Sequence, residues 1–169
     1  MGGVNIRAAT RADLPAILAL YAQPELDDGK ALPLDQAERL FESLARYPDY
    51  RLYVAEQGGA IVGSYALLIM DNLEHLGAPS AVIEAVAVAP AMQGRGVGRA
   101  MMRHALRLAG QKGCYKATLS SNFRRARAHA FYESLGFERH GYSFRVLDPG
   151  AALATPPIPN PQESQRSAN

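Results

Sequence analysis

The 169-residue chain has one cysteine, Cys114, and four scattered histidines. A single thiol excludes an intramolecular disulfide framework and a multi-cysteine metal site, and the histidines show no metal-ligand spacing, so no metal is expected. No apolar run reaches the roughly 18 residues that span a bilayer, and no secretory leader pattern opens the chain. A cytoplasmic location without a membrane partner is the resulting expectation. No recognised DNA- or RNA-binding signature is present either, so nucleic acid is not an expected partner. What is there, 48% hydrophobic and 20% charged residues, has the balance of one globular domain with a real core.

The small net charge of +2 conceals two opposed halves. Residues 1–92 hold 6 Lys/Arg against 12 Asp/Glu, while residues 93–147 hold 11 against 2. The basic half either receives a polyanionic ligand or is a solvated arginine-rich helix face.

Hydrophobic periodicity predicts a strand over 4–8 and a helix over 11–22, with Leu14, Ile17, Leu18 and Tyr21 on one stripe. A turn-rich stretch over 24–33 carries Glu25, Asp27 and Asp28, and a second helix over 34–46 follows. Strands at 50–56 and 60–70 flank Gly58-Gly59, a strong hairpin signal. A loop over 71–80 leads to a strand over 81–88 and a long helix over 97–109. A strand at 115–120, a helix from the Ser121-Asn122 cap to Leu135, and short strands at 137–140 and 142–147 complete the pattern. The resulting class is α+β or α/β with a mixed sheet, one domain over 1–147. The proline-rich end, 148–169, reads as an extended or disordered tail.

The most informative stretch is AVIEAVAVAPAMQGRGVGRAMMRHALRLAG, residues 81–110. Period-2 patterning passes through a glycine-rich joint into period-3.6 patterning, which is strand, loop, helix. Free N–H groups at such a helix start, backed by the helix dipole, form an anion site. A nucleoside triphosphate loop needs Gly-Lys-Ser/Thr, and here Gly98 precedes Arg99. A dinucleotide loop would follow the first strand, with an acid some twenty residues on; here it follows about eighty residues. A tight turn without a ligand remains open.

Gln93-Gly94-Arg95-Gly96-Val97-Gly98 resembles the Gln/Arg-x-x-Gly-x-Gly/Ala signature of the GNAT superfamily of acyl-CoA-dependent N-acetyltransferases. Val86-Ala87-Val88-Ala89-Pro90 precedes it as that family's strand end does, and Asn122 with Ala130-Phe131-Tyr132-Glu133-Ser134-Leu135-Gly136-Phe137 matches a second motif. The resemblance implies the acyl-CoA N-acyltransferase fold, a three-layer α+β arrangement with a mixed, centrally splayed sheet flanked by helices. Acetyl-CoA is then the expected cosubstrate, lying in the splay. The backbone of Gln93 to Gly98 would grip its diphosphate, Val86, Ala87 and Val88 would pair with the pantetheine, and Asn122 would either bond that arm or cap a helix. Arg95 and Arg99 suit the phosphates or simply point to water.

Amide formation from a thioester needs an amine made neutral and a proton for the leaving thiolate. Glu84, the one acid in the 81–88 strand, interrupts an apolar run where a carboxylate is costly unless it faces a wet cleft. It resembles the strand glutamate that many family members use as base, directly or through water; the plain alternative is a carboxylate that orients substrate. Tyr132 matches the family's tyrosine near the sulfur, taken as proton donor, although an aromatic at this spacing also suits a core. By the family's layout Tyr21, Glu25, His75, Glu84 and Tyr142 are candidate acceptor contacts. The expected activity is transfer of acetyl to a primary amine of a small molecule by direct attack in a ternary complex. A protein or peptide acceptor and a non-catalytic acyl-CoA-binding module are the alternatives. A homodimer is expected.

Overall fold

A computed structural model of the chain describes residues 3–150, apart from the side chains of Glu25 and Asp27. The tail expected from 148 therefore lies outside the described residues from position 151 onward. The chain divides into two units, one ending at Gly136 and one beginning at Phe137.

The first unit carries a five-stranded sheet in sequential order: β1 (Asn5–Ala8), β2 (Tyr50–Gln57), β3 (Ala60–Met70), β4 (Ser80–Val88) and β5 (Lys116–Thr118). The first three junctions are antiparallel and the β4–β5 junction is parallel. Gly58 (φ 59°) and Gly59 (φ 79°) supply the two left-handed residues that a tight hairpin between β2 and β3 needs. The parallel junction needs a crossover, and α4 (Val97–Gln111) provides it.

Alternation along β3 sorts its side chains between two layers. Tyr65 points to the α4 side, where its hydroxyl meets His104 Nδ1 at 2.7 Å. On the same side Gly63 lies so near Met101 that a Cβ there would stand 3.0 Å from its sulfur. Ser64 points the other way, to α1 (Leu14–Tyr21), with its Oγ 3.3 Å from the Tyr21 hydroxyl. Helix α4 buries Val97, Met101, Ala105 and Ala109, a four-residue repeat on one face. Helix α1 buries Leu14, Ile17 and Leu20.

The expected first helix begins as a 3-10 turn, Arg11–Asp13, that runs into α1. Asp13 is 7% exposed and accepts two bonds from Arg7 (2.7 and 2.8 Å) and two from Thr10 (2.7 and 2.9 Å). The Arg7 guanidinium holds the carboxyl well below the usual carboxylate range. This cluster ties β1 to the start of α1.

Three expectations are corrected. The turn-rich stretch contains a short helix, α2 (Pro24–Asp27), ahead of α3 (Leu34–Leu44). The last helix, α5 (Ala126–Glu133), starts three residues late, because Asn122 Oδ1 accepts the Arg124 N–H at 3.0 Å and turns the chain first. In the second unit the strands expected at 137–140 and 142–147 do not form among the described residues. Tyr142 and Phe144 are 94% and 92% exposed there; alternation alone makes no strand without a ladder partner.

Candidate active site

The site begins with an irregularity in β4. The pairing with β3 shifts between Ser64 and Ala66, so that Ala85 and Val86 together stand opposite Tyr65. Ala85 takes up the extra residue in a left-handed conformation (φ 51°), rare for a residue with a Cβ. β4 has left β5 before this bulge: the parallel ladder holds only Ser80–Lys116, Ala81–Ala117 and Val82–Thr118. The sheet is thus open between the two strands from Ile83 onward.

A cavity of about 930 Å³ lies there, with Val86 and Val88 on the β4 side and Asn122, Phe131 and Tyr132 on the α5 side. Gln93, Gly94, Gly96, Gly98 and Arg99 line it at the start of α4. Gly94 and Gly96 are left-handed (φ 75° and 86°), conformations that a side chain would strain. Gly98 is needed for a different reason: a Cβ there would stand 3.1 Å from Phe131 Cζ. The first bond back to the loop within this helix start is Ala100 N–H to Gly96 O (3.0 Å). The N–H groups of the first turn before it have no intrahelical acceptor, as at any helix start.

Most of the expected cofactor-binding positions therefore share one cavity, and three do not line it. Ala87 is buried on the sheet's other face, Val97 is buried in the core at 1% exposure, and Arg95 is exposed outside the wall. Asn122 shapes its junction as well as lining the cavity, with His129 Nε2 2.9 Å from its carbonyl oxygen. Tyr132 is half-buried; burial raises its phenol above the ordinary value while the Arg125 charge pulls the other way.

Glu84 lies on β4 just before the bulge, opposite Ala66, and is exposed without lining the cavity. Tyr50, which the sequence did not single out, lies near enough that the Glu84 charge, after burial, helps raise its phenol. Tyr21 meets Ser64, and His75, left-handed at φ 51°, stacks on Tyr115 with ring centres 3.8 Å apart. Tyr142 belongs to the second unit and is exposed, and the Glu25 side chain is outside the described residues.

The residues missed as individuals are Arg124, Arg125 and Arg127, which join Arg99 in the wall, and Phe131. Their signal was present as the excess of basic residues after position 92. Among the described residues no group of three or more His, Cys, Asp or Glu could hold a metal ion, and no helix is long and apolar enough to cross a membrane.

Three comparisons bear on this geometry. The chain is 33% identical over 96 residues to glucosamine 6-phosphate N-acetyltransferase of Trypanosoma brucei brucei, a match covering 57% of this chain and 63% of that enzyme. It is 30% identical over 143 residues to aminoalkylphosphonate N-acetyltransferase of Salmonella typhimurium, covering 83% of this chain and 88% of the relative. Among solved structures, a putative acetyltransferase from Agrobacterium tumefaciens superposes with a TM-score of 0.80 at 35% identity, over 85% of this chain and 99% of the other. The model of the acetyltransferase (GNAT) family matches residues 14–137, which contain strands β2 to β5, the glycine loop and α5. The chain is a member of the GNAT family of acetyltransferases.

Proposed function

We propose that the protein transfers an acetyl group from acetyl-CoA to the primary amine of a small molecule, by direct attack in a ternary complex. The observation that carries this reading is the opening between β4 and β5, which leads into a cavity whose one end is a glycine-lined helix start. The residues present fit an acyl-CoA. The α4 start offers N–H groups with the positive end of a dipole, and among the described residues four arginines and no carboxylate line the wall. When bound, the thioester supplies an activated acyl group.

The chain's own residues supply the rest. Holding an acyl group beside an amine pocket removes much of the barrier by proximity. Glu84, exposed on β4 at the brink of the bulge, accepts the amine proton directly or through water. Tyr132 lines the cavity and is kept protonated by burial, which suits a donor to a departing thiolate. Relatives named for glucosamine 6-phosphate and aminoalkylphosphonate acetylation support a small amine as acceptor rather than a protein.

The test follows free thiol released from acetyl-CoA against a panel of amines, amino sugars and peptides. Turnover on small amines is expected. CoA binding without thiol release on any acceptor would instead make this a non-catalytic acyl-CoA-binding module, and turnover only on peptides would move the acceptor to proteins.

A further inference from the structure

The sheet face that carries Glu84 is covered unevenly. Side chains alternate along β3, so Ser64, Ala66, Leu68 and Met70 share the α1 side. Their exposure climbs from 0% at Ser64 and 1% at Ala66, through half-buried Leu68, to 39% at Met70. The face is thus closed where Tyr21 of α1 meets Ser64 and opens toward Met70.

Register fixes what surrounds the opening. Tyr50 and Leu52 of β2 stand opposite Leu68 and Ala66, and Val82 and Glu84 of β4 stand opposite the same two residues from the other side. Directly paired residues share a face, so all four point the same way as Leu68. Leu52, Leu68 and Val82 form a half-buried apolar floor, flanked by Tyr50 on β2 and Glu84 on β4. The Tyr47 ring meets the Tyr50 ring edge-on, with centres 5.9 Å apart. Glu84 already lies where β4 has parted from β5, so the floor adjoins the opened sheet.

The charges felt there have one sign. Burial first, then the Glu84 carboxylate and Tyr47, raise the Tyr50 phenol, and no lysine or arginine among the described residues offsets them. On the opposite face Arg51 and Lys112 pull on Tyr53, and Arg107 pulls on Tyr65. A carboxylate with two aromatic rings attracts an ammonium group, and an apolar floor takes a carbon skeleton. A phosphate would instead meet the Glu84 charge with no guanidinium beside it.

We infer that this face is the acceptor subsite and selects primary amines on an apolar or aromatic body without a phosphate, with Tyr50 as the specificity-determining residue. The inference rests on the protein being an amine acetyltransferase. It gives the chain an acceptor class different from the phosphate- and phosphonate-bearing amines for which two relatives are named.

The test measures thiol release from acetyl-CoA by the native protein on two matched pairs, 2-phenylethylamine with ethylamine and glucosamine with glucosamine 6-phosphate, and on lysine-bearing peptides. The aromatic body is expected to raise kcat/KM at least about tenfold, and the phosphate to lower it by about as much. Tyr50→Ala is expected to raise the KM for 2-phenylethylamine about tenfold with a smaller change in kcat, while Tyr50→Phe, which keeps the ring, stays within about threefold of native. Calorimetric CoA binding checks that each variant is folded. Leu68→Arg, which places a guanidinium in the floor, is expected to reverse the glucosamine pair in favour of the phosphate. Native turnover of glucosamine 6-phosphate equal to or above that of glucosamine would overturn the inference and leave the acetyltransferase reading in place. So would equal kcat/KM for the two simple amines, an unchanged KM in folded Tyr50→Ala, or thiol release on peptides alone. No thiol release on any acceptor would remove the acetyltransferase reading itself, and this inference with it.

Discussion

Single side chains carry the proposed chemistry, and each can be separated from its neighbours. Glu84→Gln keeps the size of the side chain and one acceptor oxygen but removes the base. Turnover is expected to fall about 10²-fold or more while CoA affinity stays unchanged. Unchanged turnover across pH 6–9 would take Glu84 out of the reaction. For Tyr132 the sign of the pH effect follows from burial, which raises the phenol above its ordinary value of about 10. A donor with a raised pKa remains protonated through neutral and mildly alkaline pH and loses its proton only above that range. Tyr132→Phe is therefore expected to lower kcat about 10²-fold without altering the profile's shape between pH 6 and 9. Full activity in that variant would reject the hydroxyl as the proton donor.

Asp13 is a structural counterpart at the same scale. Its folded pKa is depressed by the Arg7 guanidinium, so the stability it contributes is complete above the ordinary carboxylate range and is lost as pH falls through that range and below. Asp13→Asn is expected to cost about 1–3 kcal/mol at neutral pH. The same variant should flatten the acid limb of the urea-midpoint profile, and an unchanged limb would show that the cluster contributes nothing to acid stability.

Between the residues and the fold stands the bulge of β4. Ala85 holds a left-handed conformation in the middle of a sheet, and that one extra residue separates Glu84 from Val86 and Val88. Glycine at this position meets no Cβ penalty, though it gives up more backbone entropy on folding. The two effects partly cancel, and Ala85→Gly is expected to stabilise the protein by up to about 1 kcal/mol in thermal unfolding. A lower melting temperature would show that Ala85 is held there by packing rather than merely tolerated. Gly98 behaves in the opposite sense, since a Cβ at 3.1 Å from Phe131 must push the ring of α5 away from the cavity wall.

For the molecule as a whole, charge is divided as it is along the chain. The sheet's early strands and α3 carry most of the ion pairs, Arg7 with Asp13 and Glu56, Arg11 with Glu38 and Glu42, and Arg39 with Asp35. Among the described residues, by contrast, the charged groups of the cavity wall are all arginines. A polyanionic donor drawn by that field is expected to show a KM that rises with ionic strength more steeply than the KM of a singly charged amine acceptor. Equal salt sensitivity for both substrates would deny the field a role in donor capture.

The element types were legible in the chain because they depend on local periods. The alternation of β3, the four-residue repeat of α4 and the paired glycines of the hairpin all specify themselves within a few residues. The glycine-rich joint between β4 and α4 was legible too, since the change of period across it marks a strand-to-helix loop. Non-local pairing was not legible. The strand expected over 115–120 keeps only three residues of ladder, because β4 parts from it after Val82, and nothing in residues 115–120 encodes that event. The same separation decides why Arg124, Arg125 and Arg127 matter. Their number is written in the sequence, but their convergence with Gly94 and Gly98 on one cavity arises only when α4 and α5 meet across the opened sheet. Composition and spacing thus determined what kinds of group are available, and tertiary packing alone decided which of them face each other.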